Sequence, residues 1–183
     1  MHRVLVLGAG KIGSLIAGLL EESGDYAVTL ADSRAGAAAE VAAAHKKVSG
    51  GGDGIHPLDL DATRLTDLEA ALRSRRIDAV VSSLPYYCNE LVARAARSTG
   101  AHYFDLTEDV RSATAVFGIA TNATTAFAPQ CGLAPGFISI AAAELIRHFE
   151  SVRTVKLRVG ALPQHPNNVL KYSLTWSTEG LIN

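Results

Sequence analysis

The opening stretch constrains this chain more than any other. Val4-Leu5-Val6-Leu7 runs straight into Gly8-Ala9-Gly10-Lys11-Ile12-Gly13, and Ser14 to Leu20 then reads as a helix. A buried strand, a Gly-x-Gly-x-x-Gly turn and a helix form the phosphate-binding start of a dinucleotide site. Each glycine has its own task. Gly8 permits the tight turn, Gly10 lets the backbone approach a pyrophosphate, and Gly13 lets helix and strand pack closely. The free N–H groups of the first helical turn, from Gly10 through Lys11 and Ile12 to Gly13, lie at the positive end of the helix dipole and face the phosphates.

The second half of the signal is Asp32, at the tip of the next strand, Tyr26-Ala27-Val28-Thr29-Leu30. A carboxylate there accepts hydrogen bonds from the adenosine ribose hydroxyls and repels a 2′-phosphate, which favours NAD over NADP. Ser33 and Arg34 follow on the same loop. The Arg34 guanidinium leaves two readings open, stacking on adenine or softening the repulsion of a 2′-phosphate. Asp32 has an alternative role of its own, as cap of the Ala-rich helix that follows.

Length and composition bound the rest. At 183 residues the chain suits one domain, or one domain and part of another. Its 48% hydrophobic content can fill a substantial core, and a net charge of −1 gives no electrostatic case for nucleic acid or an acidic membrane. No apolar run approaches a membrane span, and the N-terminal apolar run breaks at once into the glycine loop, unlike a signal peptide. Cys88 and Cys131 are too few for a disulfide framework, so a reducing cytoplasm is the expected compartment. The six histidines show no metal-ligand spacing, and no metal site is expected.

Beyond Asp32, strands and helices alternate. Arg34 to His45 reads as a helix, and Lys46 to Gly54 as a glycine-rich connection without a phosphate-loop signature. Ile55 to Leu60 reads as a strand that Pro57 assigns to an edge. Helices follow at Thr63 to Arg75, Asn89 to Ser98 and Asp109 to Ala120, with strands at Ile77 to Val81, Ala101 to Asp105 and Thr124 to Ala128. This alternation predicts an α/β fold over residues 1–128, a doubly wound parallel Rossmann sheet. Ligands of such sheets lie beyond the carboxyl ends of the strands. That rule singles out the loops Gly8–Gly13, Asp32–Arg34, Ser82–Tyr87 and Asp105–Asp109.

From Pro129 the pattern changes. A tight turn, Gln130 to Gly136, precedes an apolar helix from Phe137 to Phe149, and strands are expected at Ser151 to Val159 and Val169 to Trp176. Two strands without a helix between them predict the start of an α+β second domain over 129–183, cut short.

Taken together, Gly-Ala-Gly-Lys-Ile-Gly at 8–13, Ser-Leu-Pro-Tyr-Tyr at 83–87, Tyr-Phe-Asp-Leu-Thr-Glu-Asp at 103–109, Pro-Gln-Cys-Gly-Leu-Ala-Pro-Gly at 129–136 and Thr-Trp-Ser-Thr-Glu-Gly-Leu-Ile-Asn at 175–183 resemble the saccharopine dehydrogenase-like superfamily of amino-acid oxidoreductases. Within it the chain is most similar to lysine 6-dehydrogenase and its like. Saccharopine reductases usually carry Gly-Leu-Asp-Pro-Gly in the turn where this chain has Ala134 in place of the Asp. The resemblance implies NAD(P)-dependent oxidation of an amine. In the lysine case hydride leaves the ε-carbon, water adds to the imine, and ammonia is released. It also implies a second domain that closes over a small amino-acid substrate and makes most contacts of a homo-oligomer.

Such chemistry needs a nicotinamide held against the substrate and a base for the ammonium proton. Ser83, Leu84 and Pro85 are expected to line the cofactor cleft, with Tyr86 beside the reacting atoms. Asp105, Glu108 and Asp109 can bind an ammonium group or relay a proton, or they can cap the following helix. Asp105 is the candidate for contact with cofactor or substrate. Cys131 is expected near the nicotinamide in a packing or polar role; as a nucleophile it would need a base, for which His102 is the candidate. Trp176 and Glu179 are candidates to close over the substrate. Two other readings remain: a saccharopine or carboxynorspermidine substrate, and a non-catalytic nucleotide-sensing domain.

Overall fold

The computed structural model describes residues 1–49 and 54–160, with 165 and 169. Among these residues six strands form one parallel sheet: β1 (His2–Leu7), β2 (Tyr26–Asp32), β3 (His56–Asp59), β4 (Ala79–Ser82), β5 (His102–Asp105) and β6 (Phe127–Ala128). Their order across the sheet is β3-β2-β1-β4-β5-β6, with every pairing parallel. This is the doubly wound order of two βαβαβ halves meeting between β1 and β4. The helices are α1 (Lys11–Glu22), α2 (Ala37–Ser49), α3 (Leu65–Ser74), α4 (Asn89–Thr99), α5 (Val110–Ala120) and α6 (Phe137–Ile146).

The continuous apolar run of β1 is explained by its burial on both faces. Val4 and Val6 pack with Ala17, Val28, Leu30 and Ala38 beneath α1 and α2. Leu5 and Leu7 point the other way, to Leu68, Leu72, Val92, Tyr103 and Val116 beneath α3, α4 and α5. Pro57 sits on the edge strand β3, where its missing N–H costs no ladder bond. Gly100 ends α4 in the left-handed conformation at φ 75°.

Register decides what the sheet presents to a ligand. Asp32 pairs with Asp59, Leu7 with Ser82, and Ser82 with Asp105, so these strand ends share one edge. The four loops singled out from the sequence all leave from it.

Several boundaries differ from expectation. The helix expected from Arg34 starts three residues later, at Ala37, because residues 33–36 turn first. Asp32 Oδ1 accepts the Arg34 N–H at 2.8 Å, and Gly36, at φ 78°, donates to Asp59 Oδ1 at 3.0 Å. The strand expected at Thr124 to Ala128 shrinks to two residues, since only Phe127 and Ala128 come into register with β5. The strand expected at Ser151 to Val159 does not form. Those residues are irregular and exposed, and no neighbouring strand among the described residues meets their backbone groups. A lone strand has nothing to stabilise it. The strand expected at Val169 to Trp176 lies outside the described residues, apart from Val169.

Candidate functional site

The glycine turn is held by close contacts from β4. Gly8 has φ 99°, and its N–H donates to Ala31 O at 2.8 Å. Ser83, just past β4, donates from its hydroxyl to Leu7 O at 2.8 Å and lies against Gly8 O at 3.3 Å. A Cβ on Gly8 would come within 2.8 Å of Ser83 Oγ. On Gly13 it would lie 1.8 Å from Gly8 O and 2.5 Å from Ser83 Oγ. Ser83 thus fills the notch between turn and helix, and only glycine fits at either position.

Gly10 is different. Its backbone is extended (φ −76°, ψ −175°), it is the N-cap of α1, and a Cβ there would meet nothing within 4 Å. No side chain caps this helix, and its first turn carries no acid. The N–H groups of the first turn therefore open onto free space above Gly10, as an anion site requires.

Asp32 lies beside this turn. Its Oδ2 accepts the Ala9 N–H at 2.7 Å while Oδ1 accepts that of Arg34. The carboxylate thereby ties the tip of β2 to the glycine turn, and each oxygen keeps acceptor capacity. The bond to Arg34 runs two residues forward into the turn, so Asp32 is not the cap of α2. The Arg34 guanidinium lies in solvent 3.2 Å from Glu40 Oε2. An exposed pair of this kind holds weakly, and the guanidinium is free to swing. Ser33 is exposed.

Past Ser83, Leu84 is half-buried against the core, and Pro85 leads into a single 3-10 turn, Tyr86–Cys88. Tyr86 is half-buried, its ring edge-on to Tyr87 with centroids 5.7 Å apart. The Tyr86 carbonyl accepts from the Ser112 hydroxyl at 3.2 Å, which ties this loop to α5. Below it, the buried Ser82 hydroxyl donates to Asn89 Oδ1 at 2.7 Å.

Asp105, the candidate for contact with cofactor or substrate, is 0% exposed, and its carboxylate is engaged inside the protein. Its Oδ2 accepts from the Tyr103 hydroxyl at 2.6 Å, and its Oδ1 from the N–H groups of Thr107 at 2.9 Å and Gln130 at 3.1 Å. Its carbonyl accepts from the Cys131 N–H at 2.7 Å. Asp105 is a buried hub that joins the ends of β5 and β6. Burial, and then the bond to Asp105, push the Tyr103 hydroxyl far above the ordinary tyrosine range. Asp109 takes the capping role: Oδ1 accepts the Ser112 N–H at 2.6 Å. Glu108 stays exposed.

Cys131 stands at the expected edge, its Sγ donating to Ala128 O at 3.3 Å. Burial first, then the charge of Asp105, raise its thiol, which keeps it protonated at neutral pH. The base considered for it is out of reach. His102 opens β5 at the far end of the sheet, where its Nδ1 accepts the Ala126 N–H at 2.9 Å. Three residue steps along the strand separate it from Asp105, or about 10 Å. Trp176 and Glu179 lie outside the described residues.

Sequence reasoning missed Tyr103, Asn89 and Gln130. Tyr103 and Asn89 read as ordinary strand and helix residues, and only the packing shows that they satisfy the buried polar ends of β4 and β5. Gln130 had one visible signal, its place before the Cys-Gly-Leu-Ala-Pro-Gly turn.

The comparisons with known proteins agree with this geometry. Residues 4–155 match the family described as "Saccharopine dehydrogenase NADP binding domain". Apo saccharopine dehydrogenase (L-Glu forming) from Saccharomyces cerevisiae superposes with a TM-score of 0.72 at 23% identity, covering 100% of this chain and 40% of that one. A UDP-glucose-4-epimerase from Stenotrophomonas maltophila with bound NAD matches with a TM-score of 0.55 at 16% identity, over 70% of this chain and 52% of its own. A putative myo-inositol dehydrogenase from Sinorhizobium meliloti gives 0.54 at 23%, over 81% of this chain and 41% of its own. At these identities the structural likeness establishes the fold. The chain spans two fifths of the yeast enzyme's length. Among the described residues no helix is long and apolar enough to cross a membrane.

Proposed function

Since the chain belongs to the saccharopine dehydrogenase NADP binding domain family, we propose that it is the nucleotide-binding part of an NAD(P)-dependent oxidoreductase that oxidises the amine of an amino acid. One observation carries this reading: the uncapped start of α1 opens onto free space above Gly10, with a carboxylate beside it at the tip of β2. The residues fit the group. A dinucleotide pyrophosphate would rest on Gly10, Lys11, Ile12 and Gly13, and its adenosine ribose on Asp32, beside Ser33 and Arg34. Ser83, Leu84 and Pro85 would border the second mononucleotide site, which opens beyond β4, β5 and β6. When bound, the nicotinamide supplies the hydride acceptor.

The protein's own part is to bind, orient and manage protons. Ser83 holds the glycine turn at its close distance. Asp105 positions the end of β5 and the turn after β6. Tyr86, a half-buried tyrosine of the β4 loop, is the candidate for proton transfer from the substrate ammonium, and Cys131 stays a protonated, polar wall. We further propose NAD over NADP, because Asp32 sets a negative charge at the ribose end. Lysine 6-dehydrogenase-like deamination is the preferred reaction, in the cytoplasm. Residues 1–128 are the nucleotide domain, 129–183 open the substrate domain, and that second domain makes the contacts of a homo-oligomer. Exposed apolar residues along α6, Phe137, Ile140 and Leu145 among them, support a further packing partner there.

A saccharopine-type substrate is the second reading, favoured by the whole-chain superposition on the yeast enzyme. Two measurements test the proposal. NADH should bind this chain with saturable fluorescence enhancement, and a protein carrying the full second domain should reduce NAD with lysine. Turnover of saccharopine instead selects the second reading. Binding without turnover of any amine leaves a nucleotide sensor, and no binding at millimolar NADH ends the proposal.

A further inference from the structure

Gln130 is in the left-handed region at φ 64°, a conformation that costs a non-glycine residue about 1 kcal/mol or more. Among the described residues two other non-glycine residues share that feature, and both have a local reason for it. Arg76 is the residue after the cap of α3, with the Arg76 N–H donating to Arg73 O and that of Ile77 to Leu72 O, the pattern that closes a helix. Asn122 stands in the tight turn after α5 that the Ala123 N–H closes on Ala120 O, a turn position that takes a positive φ and that asparagine tolerates. Gln130 closes no helix. It follows β6 at the sheet edge where ligands bind.

The conformation is held in place by buried groups. The Gln130 N–H donates to Asp105 Oδ1 at 3.1 Å and the next N–H, of Cys131, to Asp105 O at 2.7 Å. Asp105 thus holds two successive N–H groups, that of the kinked residue with its buried carboxylate, itself braced by Tyr103 and Thr107, and the next with its backbone carbonyl. Glycine would take the same conformation without cost and keep both backbone bonds. The backbone therefore gives no reason for a glutamine here, and what glutamine adds is a carboxamide, on a half-buried residue at the end of the β4-β5-β6 half. That half takes the second mononucleotide.

We propose that the side-chain carboxamide of Gln130 binds the carboxamide of the nicotinamide ring and fixes which face of the ring meets the substrate. Both groups carry one acceptor oxygen and an NH2 donor, so they can pair reciprocally. This rests on the dinucleotide reading above and adds to it a cofactor-orienting residue.

The test uses this chain, two ligands and two variants. ADP-ribose has the adenosine and both phosphates of NADH but lacks nicotinamide. Gln130→Ala keeps the strained conformation and deletes the carboxamide; Gln130→Gly deletes both and is expected to unfold at a higher temperature than the parent. Each variant should bind NADH about fivefold to tenfold more weakly than the parent, the loss of a hydrogen-bonded contact. ADP-ribose affinity should stay within about twofold, since nothing in the adenosine half changes. NADH affinity unchanged in both variants overturns the proposal, as does an equal loss for ADP-ribose, which marks a merely structural residue. If the parent binds neither ligand, the dinucleotide reading fails first and this inference falls with it.

Discussion

Gly10 and Gly13 belong to one motif, and the structure predicts opposite failures for them. An alanine Cβ at Gly13 would lie 1.8 Å from Gly8 O. To reach the ~3.3 Å at which carbon and oxygen touch, turn and helix must part by about 1.5 Å. The obstacle is backbone, and Ser83 Oγ at 2.5 Å blocks the other side, so no rotamer change relieves it. Overpacking of this kind costs about 3 kcal/mol, the upper part of the usual range. For a chain of this size that lowers Tm by about 6–12 °C. At Gly10 the added methyl meets nothing within 4 Å, and the backbone angles suit alanine. Alanine is a poorer N-cap than glycine by up to about 1 kcal/mol, which a stiffer unfolded chain offsets by about 0.4–1 kcal/mol. Gly10→Ala should therefore melt within about 3 °C of the parent. Its methyl occupies the space left for the pyrophosphate, so NADH affinity should fall about tenfold to a hundredfold, the binding equivalent of the same overpacking. Thermal unfolding and NADH fluorescence titration on the same samples separate the two effects. A Gly10→Ala chain that binds NADH like the parent refutes the placement of the phosphates. A Gly13→Ala chain that melts like the parent refutes the close packing.

Asp32→Ser removes the charge at the tip of β2 and should lower the NADH-to-NADPH affinity ratio about tenfold, measured by parallel titrations; an unchanged ratio assigns Asp32 to holding the Ala9 and Arg34 N–H groups alone. Asp105→Asn leaves one acceptor oxygen for three donors and should cost about 3 kcal/mol, read as a Tm lower by about 6–12 °C. The same variant removes the charge that helps to raise the Cys131 thiol, so Cys131 should react several-fold faster with a disulfide reagent near neutral pH, with the labelled residue located by mass spectrometry. Tyr103 keeps its proton in the folded state while the unfolded chain releases it near pH 10. Stability from this group is complete below that pH and falls above it by about 1.4 kcal/mol per pH unit. Melting curves between pH 8 and 11 should show the decline, and Tyr103→Phe should flatten it.

Much of the molecule was legible before any coordinates. Alternating strand and helix patterns, the glycine turn and the Asp at the end of β2 are local signals, because periodicity and turn chemistry act over a few neighbouring residues. They determined the doubly wound sheet, the edge from which its four loops leave, and the packing roles of Gly8 and Gly13. The expected strand over Ser151 to Val159 shows where such signals stop. Its alternation is real, but a strand is stabilised by a partner, and the pattern cannot supply one.

The polar partnerships were decided by tertiary structure alone. Asp105 reads as an acid on a loop near a cofactor, yet β4, β5 and the turn after β6 enclose it, and Tyr103, Thr107 and Gln130 consume its acceptors. Cys131 is bonded to Asp105 at one end of β5, whereas His102 opens the other end. Which donor meets which acceptor depends on the register between strands that lie far apart in the chain, and a one-residue slip would exchange the two faces of a strand. The sequence by itself determined that a dinucleotide fold forms and along which edge of the sheet its loops gather. Only packing across the sheet decided which acidic and amide groups reach that edge and which are spent holding it together, because burial strips a polar group of water and obliges it to find a partner inside.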